Sequence, residues 1–195
     1  MNVSRETQQR LEVYLELLRK WSPKINLVSP ASLKDAADRH FKDSLQVASL
    51  CPSGVSTWAD LGSGGGFPGA VVAIALVNRG VNVTLVESDQ RKAAFLRAVS
   101  RETQTPFSVL ARRIEDVAPM DADVLSARAL APLSKLLEFT DMHLAKDGVA
   151  LFMKGGSWRE EVASAEKQWR FTCNTHKSLT HPDAAVLEIG GLSRV

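Results

Sequence analysis

The sequence predicts an α/β fold: a mostly parallel, Rossmann-like sheet with helices on both faces, preceded by a helical N-terminal extension. Two amphipathic helical patterns fill most of residues 1–50. From residue 55 onward, strand-like and helix-like segments alternate, as they do in repeated β-α units. The first of these strands runs into a glycine-rich loop, the place where such a sheet admits a ligand to its backbone. Together, these three observations predict the fold class.

The N-terminal extension contains two predicted helices. In residues 4–21, apolar side chains recur at i, i+3, i+4 and i+7, and Pro23 predicts the end of the helix. The residues of this apolar face are Leu11, Tyr14, Leu15, Leu18 and Trp21. A second helix over residues 32–50 has an apolar face of its own, and Cys51-Pro52 and Gly54 end it. We expect the extension to pack on the core, and we divide the chain into an extension, 1–50, and a domain, 51–195.

The domain contains seven predicted strands. Five apolar runs read as strands of the repeating units, at residues 55–61, 81–87, 106–111, 122–127 and 148–154. Two short strands follow, at 171–177 and 185–191. The helices between the strands are predicted to start near Gly69, Gln90, Pro132 and Ser157.

Composition indicates a globular protein and leaves the function open. The chain has 195 residues, of which 45% are hydrophobic and 24% charged, and a net charge of +2 that neither suggests nor excludes nucleic acid. No apolar stretch approaches the roughly 20 residues of a membrane span, and the polar N-terminus lacks the apolar centre of a signal peptide. Cys51 and Cys173 match no zinc or redox spacing. We expect reduced thiols, no metal, no membrane partner and a cytoplasmic location.

The loop at residues 62–69 holds five of the chain's 12 glycines. Gly64, Gly66 and Gly69 satisfy the dinucleotide pattern G-x-G-x-x-G, and the absence of a following Lys-Ser/Thr argues against a P-loop. In another register, residues 60–66 read D-x-G-x-G-x-G, which resembles motif I of class I S-adenosylmethionine (AdoMet) methyltransferases. Asp60 would suit the ammonium group of that ligand, directly or through water. A nicotinamide dinucleotide and a plain tight turn are the alternatives.

Glu87 ends the second predicted strand of the domain. A carboxylate at this point can accept hydrogen bonds from both ribose hydroxyls of an adenosine ligand. Because NAD and AdoMet share that ribose, Glu87 supports an adenosine ligand without deciding which one.

The methyl acceptor has to be inferred from the residues around this core. Residues 126–130 read SARAL where amino-directed nucleic-acid methyltransferases carry Asn/Asp-Pro-Pro-Tyr/Phe. Thr172-Cys173 resembles the nucleophile motif of cytosine-C5 enzymes but lies far from the expected loop, so we expect Cys173 to be a buried structural cysteine. Guanine N7 carries its own lone pair and needs no general base, and the alignment of its attack can contribute about 7–11 kcal/mol. The sequence therefore permits N7 chemistry.

Six stretches, spread in order over nearly the whole chain, resemble the bacterial ribosomal RNA small subunit methyltransferase G family. In chain order, they are Lys20-Trp21 with Asn26-Leu27, R-H-x-x-D-S at 39–44, G-[ST]-G-x-G-x-P-G at 62–69, Arg113 to Asp116, Ala127-Arg128-Ala129, and Lys154-Gly155. The chain departs from the family at Ser22, usually Asn, at Val28, usually Thr, and at its C-terminus, which lacks an expected lysine-bearing final strand.

The resemblance implies a monomeric enzyme that methylates guanine N7 in the 530 loop of 16S rRNA, with AdoMet as methyl donor. Combined with the motif reading, it gives the candidate cofactor-binding residues Gly62, Gly64, Phe67, Glu87, Ile114, Glu115 and Arg128. Arg128 and Lys154 are the candidates for positioning the reactants, and no residue is assigned as catalytic. A small-molecule methyltransferase and a non-catalytic AdoMet-binding ribosome assembly factor are the alternative functions.

Basic residues near both parts of the fold are candidates for binding RNA phosphates, which would make affinity depend on salt. The candidates are Arg39, His40, Lys42, Arg91, Lys92 and Lys154. For Arg39 and His40 an alternative stays open, in which they brace the extension against the core through Asp43 and Ser44.

Overall fold

The computed structural model describes residues 3–29, 33 and 35–195. Within these ranges, seven strands form one sheet in the order β3-β2-β1-β4-β5-β7-β6. Strands β1 to β5 are mutually parallel, and β7 runs antiparallel to both of its neighbours. The strands are β1 (Thr57–Leu61), β2 (Asn82–Val86), β3 (Ser108–Leu110), β4 (Ala122–Arg128), β5 (Leu144–Lys154), β6 (Trp169–Lys177) and β7 (Ala185–Arg194). The predicted α/β class and all seven strands are confirmed.

Helices cover both faces of this sheet. We number the α-helices α1 (Arg5–Ile25), α2 (Lys42–Ser49), α3 (Gly69–Leu76), α4 (Gln90–Glu102), α5 (Leu133–His143) and α6 (Trp158–Ala165). Residues of α1 to α4 belong to one apolar cluster, and residues of α5 and α6 belong to a second cluster. Because α3 lies within the first cluster, nearly all of its side chains are buried, as expected for a helix that is apolar all round.

Helix α1 is capped at both ends, by a side chain at its N-terminus and by backbone at its C-terminus. The Ser4 side chain accepts a hydrogen bond from the Thr7 amide, and Asn26, in the left-handed conformation, closes the C-terminus. The prediction that Pro23 ends the helix is wrong, because the helix continues to Ile25 and the Asn26 amide bonds to the Ser22 carbonyl. Proline removes its own N–H donor, and a last turn that is closed by Asn26 tolerates the loss.

The second predicted helix differs from the expectation in its form. Its predicted start, residue 32, lies outside the described residues. The prediction of one α-helix over residues 32–50 is wrong in its middle, because Ala37–Phe41 form a π-helical turn before α2 begins at Lys42. The wider turn keeps Phe41 buried and Arg39 exposed. π-Helical turns occur often at functional sites.

The C-terminal strands are longer than predicted. Strand β5 begins at Leu144, four residues before the expected 148, and β7 continues to Arg194. The strand predicted at 185–191 is therefore present and longer than expected, and it ends in arginine and carries no lysine, as the sequence indicates. The thiols of Cys51 and Cys173 are both free, and Cys173 is only half-buried on β6, so the prediction of a buried cysteine is wrong.

The N-terminal extension and the sheet share apolar contacts, since Leu11 and Leu18 of α1 lie in the same cluster as Leu85 of β2. The boundary at residue 50 stays a prediction. None of the helices in the described ranges is both long and apolar enough to cross a membrane.

Candidate functional site

The glycine-rich loop leaves the carboxyl end of β1 and turns into α3. Gly64 has φ +55°, and the nearest atom to a Cβ built there would be the Gly62 carbonyl oxygen at 3.8 Å, so this stretch of backbone stays open to a ligand. Gly66, with φ +89°, is closed in, because a Cβ would lie 2.9 Å from Ala70 Cβ and would also collide with the Tyr14 hydroxyl. The loop thus presents bare backbone on one side and packs tightly on the other.

Glu87 fastens this loop from the neighbouring strand. Its Oε2 accepts a hydrogen bond from the Gly64 amide at 2.7 Å, and its Oε1 accepts one from the Asp89 amide at 2.8 Å. The side chain is only 7% exposed, yet it lines a cavity beside the loop. Each carboxylate oxygen has lone pairs beyond the one that these bonds use, so Glu87 can hold the loop and still accept from a ligand.

This first cavity has a volume of about 530 Å³, within the range of roughly 300–1,000 Å³ of small-ligand sites. It lies at the carboxyl ends of the parallel strands, where ligands of open α/β sheets bind. All seven candidate cofactor-binding residues line it: Gly62, Gly64, Phe67, Glu87, Ile114, Glu115 and Arg128. The sequence-based grouping therefore corresponds to one physical space, while the role of each residue stays a prediction.

Asp60 lies beneath the loop and does not line the cavity. It is fully buried, and its Oδ1 accepts a hydrogen bond of 2.6 Å from the Ser126 hydroxyl, which in turn accepts one from Trp58 Nε1 at 2.8 Å. Burial raises the pKa of Asp60 to about 6, against the opposing effects of Ser126, Ser63 and the Gly69 amide. The expectation that Asp60 receives a ligand's ammonium group directly is therefore not supported by its position.

Another part of the cavity wall is formed by Ile114 and Glu115. Ile114 is 7% exposed, and His143 Nε2 lies 3.2 Å from its carbonyl oxygen. Burial lowers the pKa of His143, so its ring is neutral and donates from Nε2. Glu115 is exposed and lies 4.0 Å from Arg113 Nε. This wall combines one apolar side chain with one carboxylate.

Arg128 ends β4 at the centre of the site. Its Nη1 donates to His40 Nδ1 at 2.9 Å, and its guanidinium lies 5.0 Å from the centre of the Phe67 ring. Burial and the charges of Arg128 and Arg39 lower the pKa of His40 to about 4, so this imidazole is neutral. Burial also lowers the pKa of Arg128, an effect that Tyr14, Asp43 and Asp60 oppose.

A second cavity of about 390 Å³ adjoins the first, and Arg128 and Ala129 line both. Its other walls come from α2, the end of β5 and residues 178–186. Lys154 lies here with its side chain only 10% exposed, where it pairs with Glu161 at 2.6 Å and donates to the Ala131 carbonyl at 3.0 Å. Both positioning candidates, Arg128 and Lys154, thus stand beside the second cavity.

The candidate RNA-binding residues divide into separate groups. Arg39 and Lys154 line the second cavity, and Lys92 lines the first. Arg91 is exposed and pairs with Asp89 at 3.0 Å, and Lys42 is exposed on α2. His40 packs on Arg128 and Phe67 and lines neither cavity, as the bracing alternative expects, although its partners are not Asp43 and Ser44 side chains. Ser44 instead donates to the His40 carbonyl at 2.6 Å.

Sequence reasoning missed the role of Tyr14. Its ring stacks on Phe41 and Phe67 with centroid separations of 5.1 and 5.6 Å, and its hydroxyl donates to the Gly65 carbonyl. The amphipathic pattern of α1 predicted that Tyr14 is buried. The available signal for a further role was that a polar hydroxyl, on the one tyrosine of the chain, lies on this apolar face. A buried tyrosine needs a partner for its hydroxyl. The partner here is the candidate ligand loop.

Sequence comparison with known proteins identifies the family of the chain. The family model described as rRNA small subunit methyltransferase G (GidB) matches residues 7–187. A ribosomal RNA small subunit methyltransferase G of Ruegeria sp. (strain TM1040) is 49% identical over 197 residues, covering 100% of this chain and 96% of the relative. One of the same name from Paracoccus denitrificans is 49% identical over 193 residues, with 98% of each chain covered.

Solved structures agree on the fold. A SAM-dependent methyltransferase from Aquifex aeolicus superposes with a TM-score of 0.62 at 12% identity, covering 83% of this chain and 98% of that one. TYW2 of M. jannaschii, solved in complex with AdoMet, gives a TM-score of 0.61 at 15% identity, covering 80% and 76% of the two chains. At such identities the likeness supports the Rossmann-like methyltransferase fold and nothing finer.

Proposed function

Since the chain belongs to the rRNA small subunit methyltransferase G family, we propose that it transfers a methyl group from AdoMet to N7 of a guanine in the 530 loop of 16S rRNA. The observation that carries the proposal is the pair of adjoining cavities that share Arg128 and Ala129. One suits the methyl donor and the other is open for a nucleobase.

The residues of the first cavity fit AdoMet. Gly64 offers open backbone, and Glu87 retains acceptor capacity for the ribose hydroxyls. Ile114 would flank the adenine ring, with Glu115 or the neighbouring backbone at its amino edge. Phe67 and Arg128 would border the methionine part, because both lie where the first cavity approaches the second.

When bound, AdoMet supplies a sulfonium methyl group: guanine N7 donates its lone pair to the methyl carbon, the carbon–sulfur bond breaks, its electron pair stays on sulfur, and the positive charge passes to the purine. No proton has to leave N7, so the site needs no general base. The neutral His40, whose Nδ1 accepts from Arg128, agrees with such a site. The protein's contribution is alignment and the exclusion of water.

The RNA is proposed to lie across the carboxyl edge of the sheet. Arg39 borders the second cavity, and Lys92, Arg112 and Arg113 border the first, so cationic side chains flank the entrance on more than one side. Phosphate contacts from these residues would position the loop, while the target base leaves its neighbours to enter the second cavity. The proposal includes a cytoplasmic monomer with 16S rRNA, or the small subunit that contains it, as its partner.

The test is mass spectrometry of nuclease-digested 16S rRNA from cells with and without this gene. We expect loss of one 7-methylguanosine from the 530-loop fragment in the deletion strain and its restoration by purified protein with AdoMet. An unchanged fragment with retained AdoMet binding would favour a small-molecule acceptor or a non-catalytic assembly factor. Competition by NAD for the same site would favour an oxidoreductase.

A further inference from the structure

We propose that Asp43 reads the Watson–Crick edge of the target guanine in the second cavity, with Arg128 beside it facing the guanine O6. This inference rests on the proposed function and names how its base is selected. It assigns to Asp43 a role beyond bracing the extension.

Asp43 lies where its carboxylate can contact a ligand in the second cavity. It lies in the first turn of α2, immediately after the π-helical turn, and lines the second cavity. Its Oδ1 accepts hydrogen bonds from the hydroxyls of Ser178 at 3.1 Å and Thr180 at 2.7 Å, which fix the orientation of the carboxylate. Within the described residues, its Oδ2 carries no hydrogen bond and is not sealed inside the protein. One oxygen is therefore anchored and the other is available to a ligand.

The other carboxylate and the side-chain amide that line this cavity are already engaged. Glu161, the other carboxylate among the described residues that line it, pairs with Lys154 at 2.6 Å and accepts from the Leu133 amide at 2.7 Å. Gln46 donates to the Lys177 carbonyl at 2.7 Å and accepts from the Leu179 amide at 3.1 Å. Asp43 has no ion pair within the part of the chain that the structure describes. It is therefore the acceptor best placed to meet a new donor.

Arg128 supplies the complementary donor. One of its N–H groups bonds to His40 Nδ1, and no hydrogen bond within the described residues uses its other donors. The charge of Asp43 acts on Arg128, since it is one of the groups that raise the pKa of that guanidinium. The second cavity is thus lined by both a donor and an acceptor, and the donor also borders the first cavity.

Guanine matches this order of groups and adenine does not. Guanine has an acceptor at O6 followed by donors at N1 and the 2-amino group, whereas adenine has a donor at N6 followed by an acceptor at N1. With Arg128 at O6 and Asp43 at N1–H, N7 lies next to O6 and faces the first cavity. Adenine in this pose would place donor against donor and acceptor against acceptor, which costs far more than a lost contact.

The carboxylate also suits the reaction. Methyl transfer leaves a positive charge on the purine, which makes its N1–H a stronger donor. The bond to Asp43 therefore strengthens as the methyl group moves, and an interaction of this kind raises kcat rather than only lowering KM.

The experiment compares the full-length wild-type protein with Asp43→Asn on small subunits carrying either guanine or adenine at the target position. Asparagine keeps the Oδ1 acceptor for Ser178 and Thr180 and places a donor where Oδ2 stood. We expect kcat on guanine to fall about 10- to 100-fold, with unchanged AdoMet affinity, because one charged hydrogen bond is lost. We also expect the guanine-to-adenine rate ratio to fall by at least tenfold, which a bracing role would not produce.

The matched control is the double variant Ser178→Ala/Thr180→Val, which removes the bracing bonds and keeps the carboxylate. It should lower Tm, and because the carboxylate itself stays, it should reduce the base ratio less than Asp43→Asn does. The inference is overturned if Asp43→Asn keeps the wild-type rate and the wild-type guanine-to-adenine ratio. It is also overturned if Asp43→Asn and the double variant lose rate equally and both keep the wild-type guanine-to-adenine ratio. If the wild type methylates neither subunit, the proposed function itself fails, and this inference with it.

A further measurement needs no variant of the protein. Subunits built from ligated 16S rRNA can carry inosine, which keeps O6 and N1–H, or 2-aminopurine, which lacks both. We expect the wild type to methylate inosine at close to its rate on guanine, because both proposed contacts remain, and to lose at least about 100-fold on 2-aminopurine. Equal rates on the two bases would overturn the assignment of Asp43 and Arg128 even if the Asp43 variant failed to fold.

Discussion

The phenol hydroxyl of Tyr14 donates a hydrogen bond to the carbonyl of Gly65, which joins the N-terminal helix to the candidate ligand loop. Tyr14→Phe keeps the ring stack but leaves that carbonyl without its partner. We expect the free energy of unfolding to fall by about 1–3 kcal/mol. AdoMet affinity should fall as well, because the loop loses a support.

Thermal unfolding and calorimetric titration measure these two effects. The matched control is Ser4→Ala, which removes the N-cap of the same helix at a cost of about 1 kcal/mol and touches nothing near the loop. Equal AdoMet affinity in the two variants would contradict the role of Tyr14.

Glu87 should matter more for cofactor affinity than for stability. In Glu87→Ala, the Gly64 amide loses its acceptor and the ribose loses its partner, so we expect the Kd for AdoMet to rise about 10- to 100-fold. Asp123→Ala is the control, because Asp123 accepts the Ser56 and Thr57 amides at 2.8 and 2.9 Å and does not line the first cavity. A parallel loss of affinity in both variants would argue that Glu87 acts only through stability.

The stability of the protein should carry a pH-dependent contribution from Asp60. Burial raises its pKa from 3.8 to about 6, so the folded state holds a proton that the unfolded state releases between those pH values. The contribution of Asp60 to the free energy of unfolding is therefore fully present below about pH 4. It falls by about 3 kcal/mol as the pH rises to about 6.

Asp60→Asn removes this titration. Measured by chemical denaturation, the unfolding free energy of the variant minus that of the wild type should increase from pH 4 to pH 7. The low pKa values of Asp89 and Asp123, about 2, act below this window and are common to both proteins. A constant difference across the window would count against an ionisable, buried Asp60.

RNA affinity should depend on salt through Arg39. If its guanidinium contacts a phosphate, Arg39→Ala should make the slope of log affinity against log salt shallower by about 1. Arg101→Ala, at the far end of α4, is the control and should leave the slope unchanged. Filter binding to 16S rRNA at several salt concentrations measures both. An unaltered slope for Arg39→Ala would favour a purely structural role.

The strands and the ligand loop were predictable because their signals are local. Alternation and apolar runs mark β1 to β5, and a cluster of glycines after β1 marks a backbone that a ligand approaches. Glu87 could be placed because a carboxylate at the end of the next parallel strand must lie beside that loop. The seven candidate residues of the first cavity follow from such regularities together with the family motifs.

The contacts that join distant residues were not predictable in the same way. The bond of Arg128 to His40 spans 88 residues, and the bonds of Asp43 to Thr180 and Ser178 span 137 and 135. Helical periodicity predicts which face of a helix is apolar, but it does not predict which distant group bonds to a polar side chain of that helix. The orientation of Asp60 was misjudged for a related reason, because a residue near a strand end can face the ligand or the core.

The packing of α1 has a consequence for how the chain folds as it is made. This helix is synthesised before α3 and α4, whose residues share its apolar cluster, and α4 ends at Glu102. At about 5–20 residues per second, roughly 4–15 seconds pass between the completion of α1 and of α4. Until α4 is complete, Leu11, Tyr14 and Leu18 cannot form all of their native apolar contacts. The helix that supports the ligand loop in the folded protein is therefore translated before the helices that pack against it.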